Sequence, residues 1–107
     1  MAPKSLEDRS QELQAEFEEL LGSGEVYYNP PASVHMTYPA IVFSRSKIDN
    51  TFANNKVYGQ AYGYEVTTIT EDPDDPIIDK VSKLDMCSFD RHFVSDNLHH
   101  NTFTLYH

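Results

Sequence analysis

What most limits the folds open to this chain is its closing stretch, residues 84–107. Residues 86–94 form one β-prone run, Ser95-Asp96-Asn97 supplies turn chemistry, and Thr102, Thr104 and Tyr106 then alternate with Phe103 and Leu105. The pattern predicts a C-terminal hairpin over 86–106. The same stretch holds the only Cys, four of the five His and three of the six Phe. Two uses of these residues stand open. One is a chemical site built from His92, His99, His100, Asp90 and Cys87; the other is a closing hairpin whose polar groups serve packing and assembly.

The clearest helix lies at the other end, over 5–21. Leu6, Leu13, Phe17, Leu20 and Leu21 fall on one stripe of a 3.6-residue period. Ser5 is placed to cap it with Asp8 three residues on, and Gly22 to end it in a left-handed cap. Glu7, Glu12, Glu16, Glu18 and Glu19 occupy the other face, a solvated surface or the acidic outer or lumenal wall of an assembly.

Residues 25–28 are aromatic and β-prone but stop at Asn29-Pro30-Pro31, so a strand there belongs at a sheet edge. The run Pro39-Ala40-Ile41-Val42-Phe43-Ser44 is nearly all apolar and suits a central strand. From 46 to 58 the pattern breaks. Lys47, Asp49, Asn50, Asn54, Asn55 and Lys56 surround the isolated Ile48 and Phe52, which predicts a long loop. With Arg45 just before it, this is the densest positive cluster in an acidic chain. The expectation is a partner-contacting loop anchored by Phe52; the plain alternative is a surface loop with Phe52 folded beneath it.

Residues 63–70 alternate as a half-buried strand. Asp75 can then cap a second helix over 76–84, with Pro76 in its first turn and Ile77, Ile78, Val81 and Leu84 inward. The acidic run before it lacks the spacing, central Gly and final Glu of a calcium loop. The order is α-β-β-β-α-β-β in a single domain, with both helices on one face of a largely antiparallel sheet. That is an α+β two-layer sandwich.

Charge narrows the function classes. Seventeen acidic residues against eight basic ones leave a net of −9, which argues against a nucleic-acid-binding module and for basic partners. No apolar run reaches the length of a membrane span, and residues 1–24 lack the order of a signal peptide. A single Cys excludes an internal disulfide, which fits a reducing cytoplasm or a particle assembled there.

No catalytic or metal spacing stands out. His99 and His100 are neighbours and point to opposite faces of a strand, and no CxxC, HxxH or HExxH is present. Cys87 sits where a small core residue fits equally well. In a regular strand Asp90 and His92 share one face and Arg91 takes the other, so a salt bridge within the chain or to another copy is the plainest use of these three. No cofactor and no metal is expected. The rival class is a small metal- or thiol-dependent enzyme centred on His92, Cys87 and His99; a third is an acidic module that binds a basic protein.

From Tyr38 onward the chain resembles a family of small proteins from the morphogenesis modules of long-tailed bacteriophages, the tail terminator (tail completion, or minor capsid) proteins. The resemblance runs through Tyr38-Pro39-Ala40-Ile41-Val42-Phe43, Arg45-Ser46-Lys47-Ile48-Asp49, Phe52-Ala53-Asn54-Asn55-Lys56 and Tyr64-Glu65-Val66-Thr67. It continues with Asp72-Pro73-Asp74, Asp79-Lys80-Val81, Cys87-Ser88-Phe89-Asp90-Arg91-His92-Phe93, Asp96-Asn97-Leu98-His99-His100 and Phe103-Thr104-Leu105-Tyr106. Together these segments cover about two thirds of the chain. The resemblance implies a non-enzymatic virion protein with the same α+β layout, assembled in the bacterial cytoplasm. It implies a ring, usually a hexamer, that caps the tail tube and joins it to the head-neck connector or stopper, with genomic DNA passing through unbound. A head-completion or stopper protein of the neck is the alternative position. Expected contact residues are Arg45, Lys47, Phe52, Asn54, Asn55, Lys56, Asp90, Arg91 and His92.

Overall fold

Ser5 starts the first helix as the sequence predicts. Its hydroxyl accepts from the Asp8 amide at 3.0 Å while the Asp8 carboxylate accepts from the Ser5 amide at 3.4 Å, a reciprocal capping box. Gly22 ends the helix at φ 77°, where a side chain would be strained. The computed structural model describes residues 5–31, 33–53 and 56–107, without the side chains of 52, 53, 57 and 58. Along these the order is α1 (Leu6–Leu21), β1 (Val26–Tyr28), β2 (Ala40–Ala53), β3 (Lys56–Thr70), α2 (Pro76–Ser82), β4 (Cys87–Ser95) and β5 (Leu98–Tyr106).

The strands form one sheet in the order β1-β2-β3-β5-β4. Every pairing is antiparallel except that of β1 with β2. Both helices pack on one face, an α+β two-layer arrangement. That face carries Ile41, Phe43, Tyr64, Val66, Phe103 and Leu105, which close a core with Leu13 and Phe17 of α1 and Ile77 and Val81 of α2. Phe17 meets Phe43 edge to face, with centroids 5.3 Å apart. Asp75 caps α2 by accepting from the Ile77 amide at 2.9 Å.

Four expectations need correction. Among the described residues, 46–53 and 56–58 are not a loop: β2 and β3 run through them, paired from Lys47↔Gly63 to Ala53↔Lys56 with one register shift between Thr51 and Phe52. Pairing between the two strands is the main support of this outer half, because β1 pairs with β2 only as far as Phe43 and β5 with β3 only from Gly63. With no further strand beside it, this ribbon buries no large side chain among those described, and its sequence shows no apolar alternation. Second, the apolar run at 40–44 is interior to the sheet as expected, with β1 and β3 on either side of Ile41 to Phe43, but the strand it begins runs on to Ala53, beyond its outer neighbour. Third, α2 ends at Ser82; Leu84 still packs on the core, but from the turn beyond the helix. Fourth, a bulge in β4 between Phe89 and Arg91 leaves Asp90 without a register partner, so strict alternation does not set its face.

The outer half of β2–β3 makes the molecule long. Residues 46–53 and 56–62 form a two-stranded arm, its eight-residue β2 limb about 26 Å in length at the usual strand rise. The radius of gyration is 15.1 Å, against about 13 Å for a compact domain of this size.

Candidate assembly surfaces

The root of the arm is braced on both faces of the sheet. On the helix face the Arg9 guanidinium of α1 lies 4.1 Å from the centre of the Tyr62 ring. Its Nη1 donates to the His107 carbonyl at 2.8 Å, and the His107 amide donates to the Tyr62 carbonyl at 3.0 Å. On the opposite face the Lys47 ammonium lies 5.1 Å from the Tyr106 ring centre and 3.6 Å from the Asp49 carboxylate. The Tyr106 hydroxyl and then the Asp49 carboxylate hold the Lys47 ammonium above the usual lysine range. Gly63 makes this close fit possible: a Cβ there would come within 2.9 Å of Lys47 Cγ.

Outward from the root, a single polar ladder is seen. Tyr62 Oη donates to Gln60 Oε1 at 2.6 Å, and Gln60 Nε2 donates to Asn50 Oδ1 at 3.0 Å. Arg45, Ile48, Asn50 and Lys56 are exposed. Of the expected contact residues, Arg45 and Lys56 are exposed with no ion pair to another described residue, while Lys47 is engaged within its own chain. Asn54, Asn55 and the Phe52 side chain lie outside the described residues.

The arm also separates charge. It and Arg45 carry three cations and Asp49, a net of +2, which leaves −11 on the remainder of a chain of net −9.

The second surface is β4, the far edge of the sheet. Its residues from Ser88 to Ser95 are all exposed, whereas β5 beside it buries Phe103 and Leu105. Met86 at 69% exposure, Phe89 at 57% and Val94 at 56% are the most exposed large apolar residues described. Phe89 leans edge-on against Phe103 with centroids 5.7 Å apart. Arg91 lies over Phe93, whose ring stacks on His100 at 4.7 Å. Residues 85–96 hold Asp85, Asp90 and Asp96 against Arg91, a net of −2.

The structure brings His92 and His99 together and leaves Cys87 apart. His92 Nε2 and His99 Nδ1 are 3.1 Å apart in nearly coplanar rings. The 5.4 Å between their centroids is what two rings joined end to end through that bond give, so the rings meet edge to edge. One nitrogen donates and the other accepts; the two lone pairs do not converge on a third point. Cys87 pairs with Leu105 and His92 with Asn101, four residues apart on β5 and so about 13 Å apart. Burial pushes the Cys87 thiol up, away from the reactive thiolate. No group of three or more His, Cys, Asp or Glu among the described residues is placed to share a metal ion.

Sequence reasoning named Arg45, Lys56, Asp90, Arg91 and His92 but missed Ile48, Met86, Phe89 and Val94 as surface residues. The apolar exposure along β4 carried no signal, because alternation reads the same whichever face is covered. The His92–His99 pairing depends on the Asp90 bulge, which no residue pattern announced. Compared with known proteins, the chain matches no family model and no curated protein.

Proposed function

We propose that this chain is a structural protein of a long-tailed phage virion, a tail terminator whose ring caps the tail tube and joins it to the head-neck connector. The observation that carries the reading is the arm, a strand pair that leaves its own sheet and reaches about 26 Å into solvent. A lone two-stranded ribbon is marginal in water, so a subunit that keeps one is equipped to be completed by a neighbour. The ordered motifs from Tyr38 to Tyr106 support the same reading, and the α+β order is the layout that resemblance implies. The acidic remainder of the chain suits the wall of a DNA conduit, since like charge keeps passing DNA from sticking.

Immunogold labelling of purified particles and of tails without heads tests it. One ring of label at the head-proximal end of both is expected. Label retained on heads but missing from free tails assigns the chain to the neck as a stopper instead. Label along the tube, or none on any particle, contradicts a place in the head-tail junction altogether.

A further inference from the structure

We infer that the arm of one copy docks along β4 of a second copy, head to tail. This rests on the self-assembly reading above and adds to it which surfaces meet. Two regions of the fold are exposed beyond what a monomer needs, and they complement each other. The arm with Arg45 carries +2 and presents Ile48 at 41% exposure. Residues 85–96 carry −2 and present Met86, Phe89 and Val94.

Like-with-like pairing is disfavoured on both sides. Two arms would bring together Arg45 and Lys56 of each copy. Two β4 strands would bring together Asp85, Asp90 and Asp96 of each, and the bulge at Asp90 interrupts the edge that a second β4 would have to follow. An arm on β4 instead sets cations against Asp85 and Asp90 and places Ile48 among the exposed apolar side chains. Buried apolar anchors within a charged rim are what a specific interface requires.

The geometry has a consequence for symmetry. The arm extends β2 and β3, whereas β4 is the sheet's opposite edge, two strands from β3. A contact between such different patches is heterologous, so each copy offers one arm and one edge. Made in one direction only and repeated, it closes into a ring or runs on as a filament; it stops at a dimer only where each arm reaches the other copy's edge at once.

The test places a photo-crosslinking phenylalanine analogue at Ile48 and maps crosslinked peptides by mass spectrometry. Sedimentation velocity is run on the same samples, both concentrated and mixed with purified tail tubes. Copy-to-copy crosslinks within residues 85–94 are expected. Their yield should fall about tenfold in Arg45→Glu with Lys56→Glu, and equally in Asp85→Lys with Asp90→Lys, the effect of two screened ion pairs. Mixing the two reversed proteins, with the probe on the reversed arm, should restore it, which a folding defect in either would prevent. Crosslinks to another part of the second copy, with oligomers still present, overturn the arm–β4 contact and leave the ring reading standing. A monomer at every concentration and on tube ends overturns both.

Discussion

The hairpins β2–β3 and β4–β5 are both antiparallel, yet they draw their support from different places. In β4–β5 one strand is held from both sides: β5 lies between β3 and β4 and buries Phe103, Leu105, Asn101 and Thr102. Its turn, Asp96-Asn97, takes left-handed φ values of 54° and 63°, which suits the right-handed twist of the flanking strands. In β2–β3 the support changes along the length. The inner half buries Ile41, Phe43, Tyr64 and Val66 under the helices, and the outer half buries nothing of comparable size among the described side chains. One hairpin is divided lengthwise, with a buried strand and an exposed strand; the other is divided across, with a buried root and an exposed tip. The first offers a partner an edge and the second offers it an arm.

The largest effect that could break this contrast comes from comparing two residues of β2. Phe43→Ala removes a fully buried ring packed between Phe17, Tyr28 and Tyr64, and should cost about 3–5 kcal/mol. Ile48→Ala, five residues along the same strand, should stay within about 0.5 kcal/mol. Urea unfolding of both variants checks this, and a large loss from Ile48→Ala would mean that the arm folds back on its own chain.

A smaller effect sharpens the description of the shared strand β3. Thr68 is fully buried and its hydroxyl has no partner among the described residues, so the desolvated oxygen is a cost with nothing against it. Thr68→Val should therefore stabilise the protein by about 1 kcal/mol, read as a higher melting temperature. A loss of stability would show that the hydroxyl is satisfied.

Buried roots should also show in alkali. Burial pushes the Tyr64 phenol and the Cys87 thiol above their ordinary values, so the folded state favours their protonated forms. Their contribution is intact below the unfolded-state values and is lost as pH rises through the raised native ones. Melting temperature should decline across that alkaline range, and Tyr64→Phe should flatten part of the decline. Smallest of all, Arg45→Glu with Lys56→Glu should shift monomer stability by no more than about 0.5 kcal/mol, since both residues are exposed.

The contrast also explains what the sequence could and could not reveal. Elements that bury a face announced themselves. Leu13 and Phe17 of α1, Ile77 and Val81 of α2, and Val66 between Tyr64 and Thr68 repeat at the period of their structure because the core demands it. The arm made no such demand. Its residues answer to backbone pairing and solvent, and Asn50, Asp49 and Lys47 read as loop although they lie in a ladder. The charged contact residues were legible as an anomaly of composition, with three cations gathered in an acidic chain. Their division into Lys47, held by Tyr106 and Asp49, and the exposed Arg45 and Lys56 was not legible, because it depends on the register shift at Ser46 that sets Lys47 opposite Gly63.

Hydrogen exchange on the free protein and on the protein bound to purified tail ends tests the central claim most directly. In the free protein the amides of residues 46–53 and 56–62 should exchange much faster than those of Ile41 to Ser44, whose strand is covered on the helix face. On tail ends the arm amides should become as slow as the root, and residues 85–95 should slow with them. Arm amides that stay fast on the assembled tail, or that are already slow in the free monomer, would contradict the account.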